Sequence, residues 1–212
     1  MPCSVVIADA RRLVRESLQA LVESRSGLAV VGQAEDGRDL IDVCLKEKPD
    51  VAVVDAQLPK LSGIEALRRI RSRGMRPRFV LTSGTDSPSL VRVALLAGAS
   101  AFVPKTAAGG DLLDAIEASH AGQHFFARCA GSSLRDALES PLGSTQHRNL
   151  TGRQVEVLQL VAEGLSTKQI ASELGVSIKT AQTHRINLMK KVGAHKASEL
   201  VRYAIREGIV EA

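Results

Sequence analysis

Four places in the first half of the chain hold side chains able to manage the charge of a transferred phosphoryl group. They are Asp9, Asp55, Thr82 with Ser83, and Lys105. Each follows a short apolar run: residues 5–8, 51–54, 79–81 and 101–103. Two carboxylates held side by side repel unless a cation lies between them, and hard oxygen ligands suit Mg2+. A lysine ammonium and a hydroxyl beside them would meet an added phosphoryl group through charge-assisted hydrogen bonds. One Asp after a strand is usually a cap or a surface acid. Four such positions at four strand ends point instead to a shared site.

A second set lies near the C-terminus. Lys179, Gln182, Thr183, Ile186 and Lys190 recur at spacings of three and four, so they share one helix face, with Asn187 and Lys191 beside them. From Lys179 to Lys196 there are five Lys or Arg and no acid. The amides of Gln182 and Asn187 can read base edges while the cations meet phosphates, as a helix in a major groove requires. A plain solvated face is the alternative. It does not account for the agreement of turn, core spacing and acid-free face.

The elements that must position these residues are legible. Residues 167–192, TKQIASELGVSIKTAQTHRINLMKKV, read as two helices around a tight turn. Ile170, Ala171 and Leu174 share a face on the first; Ala181, Leu188 and Val192 do so on the second. Gly175 suits a positive φ in the turn, and Ser177 can cap the following helix. That is a helix-turn-helix. In the first half, strands at 5–8, 28–34, 51–54, 79–81 and 101–103 alternate with helices at 13–22, 40–46, 64–70, 90–96 and 112–118. Five β-α units predict a doubly wound parallel sheet with helices on both faces. A flavodoxin-like order would set the first strand beside the third, and so Asp9 beside Asp55.

Composition narrows the function classes. Of 212 residues only 2% are aromatic, which disfavours a ring-lined pocket for a flat organic ligand. Residues 1–118 carry 16 Lys+Arg and 15 Asp+Glu, a net +1, whereas residues 149–212 carry 9 and 6, a net +3. The basic excess therefore leans toward the helix-turn-helix. Cys3, Cys44 and Cys129 show no metal-ligand spacing and read as reduced thiols of a cytoplasmic protein. No apolar run approaches the roughly 20 residues of a membrane span, and the opening run is too short for a signal peptide. Neither a G-x-S-x-G elbow nor a Gly-rich phosphate loop occurs, which disfavours a small α/β hydrolase or phosphatase.

Motifs on these elements carry a family resemblance. PDVAVVDAQLPKLSGIEAL, VLTSG and FVPKT resemble a bacterial two-component receiver domain. Residues 147–210, from HRNLTGRQVEVLQLVAEGLSTKQIASELGVS onward, resemble a LuxR-type helix-turn-helix domain of four helices. In this order, over nearly the whole chain, they are similar to a NarL/FixJ-type response regulator. The resemblance implies a receiver at 1–121, a linker at 122–148 and a DNA-binding domain at 149–212. It implies that Asp55 accepts phosphate from a histidine kinase or another phosphodonor. It makes Asp9 an acid of the metal site, Thr82 the switch hydroxyl, Lys105 the phosphate-binding lysine and Phe102 the switch aromatic. Mg2+ would be held by Asp9, Asp55 and the backbone carbonyl of Gln57. It also implies a homodimer on double-stranded DNA, paired through the last helix at Leu200 and Val201.

Two departures stand out. The family usually has a second acid after Asp9, and here Ala10 stands there, followed by Arg11-Arg12. Losing a direct ligand weakens a Mg2+ site by on the order of 1–3 kcal/mol. Arg11 or Arg12 could swing inward and occupy the cation position, mimicking the metal or blocking it. A receiver regulated without phosphorylation is then the alternative within the class. A small-molecule-sensing LuxR-type regulator is a further one, disfavoured by the scarcity of aromatics. The family also often has Glu where Gln154 stands. Between the domains, Ser132 or Ser133 could cap a short helix ending at Glu139, and Phe125 with Phe126 should pack on the receiver.

Overall fold

The computed structural model describes residues 2–85, 87–126 and 150–210, and the chain divides into two compact units, Met1–Ser140 and Pro141–Ala212. The expected short helix near Ser132 to Glu139, and Cys129, lie outside the described residues.

The first unit alternates strand and helix throughout. Its order is β1 (Cys3–Ala8), α1 (Arg12–Glu23), β2 (Leu28–Ala34), α2 (Gly37–Glu47), β3 (Val51–Asp55), α3 (Gly63–Ser72), β4 (Arg78–Ser83), α4 (Pro88–Ala97), β5 (Ala101–Pro104), α5 (Gly109–His120) and β6 (Phe125–Phe126). The sheet runs β2-β1-β3-β4-β5-β6, with every pair parallel. β1 therefore lies beside β3, as the flavodoxin-like order requires.

The apolar strands bury both faces. Val6, Ala8, Ala52, Val54, Phe79, Leu81 and Phe102 pack in one layer with residues of α2, α3 and α4. Their strand neighbours Val5, Ile7, Val51, Val53, Val80, Ala101 and Val103 pack in the other with α1 and α5. This alternation explains why β3 reads VAVVD with every residue buried.

Five strands were expected and six are described. The extra one is Phe125–Phe126, which pairs with Ala101 and Phe102 and covers the free edge of β5. Two residues are too short to display a strand period, but the expected packing of the phenylalanines on the receiver is its other aspect.

The second unit comprises α6 (Gly152–Ala162), α7 (Thr167–Leu174), α8 (Ile178–Val192) and α9 (Ala197–Arg206). Val157, Leu158, Leu160, Ile170, Leu188 and Leu200 are fully or almost fully buried in its core. Thr151 and Gln154 form a capping box on α6, and Ser166 and Gln169 another on α7. Such caps contribute about 1 kcal/mol each, which matters in a unit this small. Among the described residues no helix is long and apolar enough to cross a membrane.

Candidate functional site

The strand ends bring the acidic cluster together as the topology demands. Ala8 pairs with Val54 and Asp55 with Thr82, so Asp9 and Asp55 emerge side by side next to Thr82. Ser83 pairs with Pro104, and the Lys105 amide donates to the Ser83 carbonyl at 2.8 Å. Asp9 is 1% exposed, Asp55 6% and Thr82 5%.

The loop after β3 is fixed from below. Gly63 approaches so closely that a Cβ there would lie 2.1 Å from the Asp55 carbonyl oxygen. Only glycine permits that contact. The Lys60 ammonium pairs with Asp36 at 2.5 Å, and Leu58 and Leu61 are fully buried. Phe102 is likewise fully buried, between sheet and helices, rather than at the rim.

Cations already occupy this pocket. Lys105 Nζ donates to Asp9 Oδ2 and to Asp55 Oδ2, both at 2.5 Å. Arg11 turns inward: its backbone N–H donates to Asp9 Oδ1 at 2.9 Å and its Nε to the same oxygen at 3.3 Å. Its guanidinium also lies 3.9 Å from Asp55 Oδ2. Asp55 Oδ1 accepts from the Gln57 amide at 3.1 Å. Arg12 instead pairs with Glu16 along the helix. Arg15, which sequence reasoning did not single out, donates to the carbonyls of Asp9 at 2.8 Å and Ala10 at 3.2 Å.

The two acids are pushed apart electrostatically. Burial raises the Asp55 carboxyl above its ordinary value, with Lys105 only partly offsetting it and Asp9 adding to it. Burial acts the same way on Asp9, but hydrogen bonds from Lys105 and Arg11 outweigh it and hold its carboxyl below the usual range.

These residues do not fit a dication as they stand. Each of the four carboxylate oxygens of Asp9 and Asp55 already accepts a hydrogen bond, and Lys105 with Arg11 balances the pair's charge. Ala10 offers no side-chain oxygen where a third acid would coordinate.

On the second unit, α7 ends at Gly175, whose φ of 61° makes the turn, and Ser177 caps α8 by accepting from the Thr180 amide at 3.1 Å. Ala181 and Leu188 face the core, with Met189 and Val192 partly buried. The opposite face is exposed at every position expected of it: Lys179, Gln182, Thr183, Ile186, Asn187, Lys190 and Lys191. Ile186, 45% exposed, is an apolar side chain left in solvent among polar ones. Such a residue suits contact with a thymine methyl.

Two further residues brace this helix pair. Arg153 Nη2 donates to the Leu174 carbonyl at 3.0 Å, joining α6 to the end of α7. Arg185 Nη1 reaches the Thr167 hydroxyl at 3.3 Å, joining α8 to α7. Gln154 has a physical account: beyond its capping role it accepts from Lys191 Nζ at 3.3 Å. A glutamate there would neutralise Lys191, whereas the amide leaves that charge intact.

The two residues expected on the pairing face of the last helix lie in different environments. Leu200 is fully buried in the unit's own core, so it is not available to a partner. Its neighbour Val201 is half-buried, and Ile205, one helical turn on, is 37% exposed.

Comparison with known proteins places both units. Residues 5–117 match the family described as response regulator receiver domain, and residues 148–204 the bacterial regulatory proteins of the luxR family. An uncharacterised transcriptional regulatory protein of Bacillus subtilis, YxjL, is 33% identical over 98% of this chain and 97% of its own. The transcriptional regulatory protein LiaR of the same organism is 32% identical, covering 97% of this chain and 98% of its own. Among solved structures, RcsB from Salmonella enterica serovar Typhimurium, bound to a promoter in the presence of phosphomimetic BeF3-, superposes with a TM-score of 0.66. It is 25% identical and covers 96% of this chain and 98% of its own.

Proposed function

The chain belongs to the two-component response regulators that join a receiver domain to a luxR-family DNA-binding domain, and from that premise we propose that α8 reads base edges in a major groove under the control of the first unit. The observation carrying this is the exposed face from Lys179 to Lys191, which sets the polar Gln182, Thr183 and Asn187 and the cations Lys179, Lys190 and Lys191 around Ile186 and holds no acid. Gln182 and Asn187 supply paired donor and acceptor groups for bases, and Lys179, Lys190 and Lys191 meet phosphates. We assign the receiver to 1–121, the linker to 122–148 and the DNA-binding domain to 149–212.

Asp55 is the phosphoacceptor in this reading, and Lys105 and Thr82 hold the group once it is attached. Receiver domains take phosphoryl groups from histidine kinases and generally bind Mg2+ at the acidic site. This receiver binds the metal weakly, because Arg11 and Lys105 already neutralise the acids and Ala10 supplies no ligand. Phosphorylation at Asp55 is correspondingly slow. Regulation without any phosphoryl transfer is the second reading, and the same closed pocket favours it.

The DNA assignment is tested on a duplex selected from genomic fragments. Lys190→Ala should weaken binding to all sequences and lower the salt dependence by about one phosphate contact. Gln182→Ala should instead relax preference at one base pair, by roughly 1–3 kcal/mol. Folded variants that bind like the unaltered chain would remove α8 from the groove.

A further inference from the structure

At the opposite end of the sheet from Asp55, three side chains from distant parts of the sequence meet. Cys3 opens β1, Asp50 immediately precedes β3, and His120 ends α5. The Cys3 sulfur, a carboxylate oxygen of Asp50 and a ring nitrogen of His120 all lie within 4.8 Å of one another. Cys3 is buried, whereas Asp50 and His120 are exposed, so the group has an inner anchor and an open outer side.

From this geometry we propose that Cys3, Asp50 and His120 form a binding site for a borderline-soft divalent transition ion such as Zn2+. Thiolate, imidazole and carboxylate are the three donor types that Zn2+ takes, and three protein ligands leave a fourth position for water. Donors bound to one ion lie about 3–4 Å apart, so closure needs movement of about 1 Å, which the exposed His120 side chain can supply.

Asp50 is already held for the task. Its Oδ2 accepts from the Ser4 amide at 2.9 Å and from the Ser4 hydroxyl at 2.7 Å, while the Ser4 Oγ accepts from the Asp50 amide at 2.9 Å. This reciprocal pairing fixes the carboxylate, the role outer-shell partners play at metal sites. His120 sits at the carboxyl end of α5, where the helix dipole favours positive charge.

The protonation step balances simply. Burial, reinforced by Asp50, pushes the Cys3 thiol up to about 11, so without metal it stays protonated. Binding breaks the S–H bond, forms the sulfur–metal bond and releases that proton to water. Cys44 is also a buried free thiol, raised to about 12 by burial alone, but no such donor group surrounds it among the described residues. A resident ion would tie the start of β1 to the end of α5, the helix that leads through β6 toward the second unit.

The test uses the full chain under reducing conditions with Co2+ and Zn2+ as probes. The expected result is one ion per chain, with the near-ultraviolet sulfur-to-cobalt charge-transfer band and the visible bands of four-coordinate cobalt. Cys3→Ala should abolish the charge-transfer band. His120→Ala, at an exposed position, should lower Zn2+ affinity at least tenfold while leaving the metal-free melting temperature unchanged. Cys129→Ser and His124→Ala should leave binding intact. Zn2+ should raise the melting temperature of the unaltered chain and not of His120→Ala. Absence of binding, equal affinity in His120→Ala, or loss of the sulfur band in Cys129→Ser in place of Cys3→Ala would each overturn the proposal.

Discussion

Ala10→Asp and Arg11→Ala test the closed acidic pocket from two sides. Arg11 places a guanidinium 3.3 Å from Asp9 and 3.9 Å from Asp55, with its side chain 57% exposed. At that exposure the dielectric of water applies, and unit charges about 4 Å apart interact by about 1 kcal/mol. Against a dication the repulsion doubles to about 2 kcal/mol, so Arg11→Ala should tighten Mg2+ binding by roughly thirtyfold. Ala10→Asp adds a direct ligand and should tighten it by roughly ten- to a hundredfold or more. The positions are adjacent, so the double variant should gain less than the two effects combined. Stability should hardly change in Arg11→Ala, by about 0–1 kcal/mol, because Asp9 keeps the backbone N–H and Lys105. Calorimetric Mg2+ titration and labelling with acetyl phosphate, with Asp55→Asn as the blank, read both effects. If the unaltered receiver binds Mg2+ and labels as well as Ala10→Asp, the account of Ala10 and Arg11 is wrong.

The two pocket acids should respond oppositely to removal of charge. Asp9 has a lowered folded-state value, so its ionisation stabilises the fold above the ordinary Asp range, and that stability is lost as pH falls through the lowered value. Asp55 has a raised value, so its ionisation costs stability at neutral pH, and the cost shrinks as pH falls below that raised value and is gone below the ordinary Asp range. Thermal melts at pH 7 should therefore show Asp9→Asn destabilised and Asp55→Asn equal to or more stable than the unaltered chain; the same sign in both would contradict the assignment. On α9, Leu200→Ala should cost about 2–5 kcal/mol by opening a cavity in the second unit. Val201→Glu should leave folding intact and weaken binding to paired half-sites much more than to a single half-site, measured by titration of both duplexes; equal losses would assign Val201 to the core.

The acidic site was legible because each strand ends where an apolar run meets Asp9, Asp55, Thr82 or Lys105, and one topology rule sets those ends together. The helix-turn-helix was legible for a similar reason: Gly175, Ser177 and the core spacing of α7 and α8 are local signals. Less local facts were not. That Arg11 turns inward while Arg12 turns outward depends on the backbone after β1, and the Arg15 clamp on the Asp9 and Ala10 carbonyls has no sequence period. Along α9 the apolar residues Leu200, Val201, Ala204 and Ile205 recur at helical spacing as one stripe. Only packing divides it into a buried half, Leu200 and Ala204, and an outer half, Val201 and Ile205. Cys3, Asp50 and His120 show no metal-ligand spacing because parallel strand starts and a helix end bring them together, not a local motif.

In the proposed function α8 places this regulator on specific double-stranded DNA as a pair. Footprinting the full chain on genomic fragments tests it most directly. Protected segments should contain two related half-sites about one helical turn apart, or a multiple of it, and should disappear with Lys179→Ala and Lys190→Ala combined. Protection without paired half-sites, or protection that survives the double substitution in a folded chain, would contradict it.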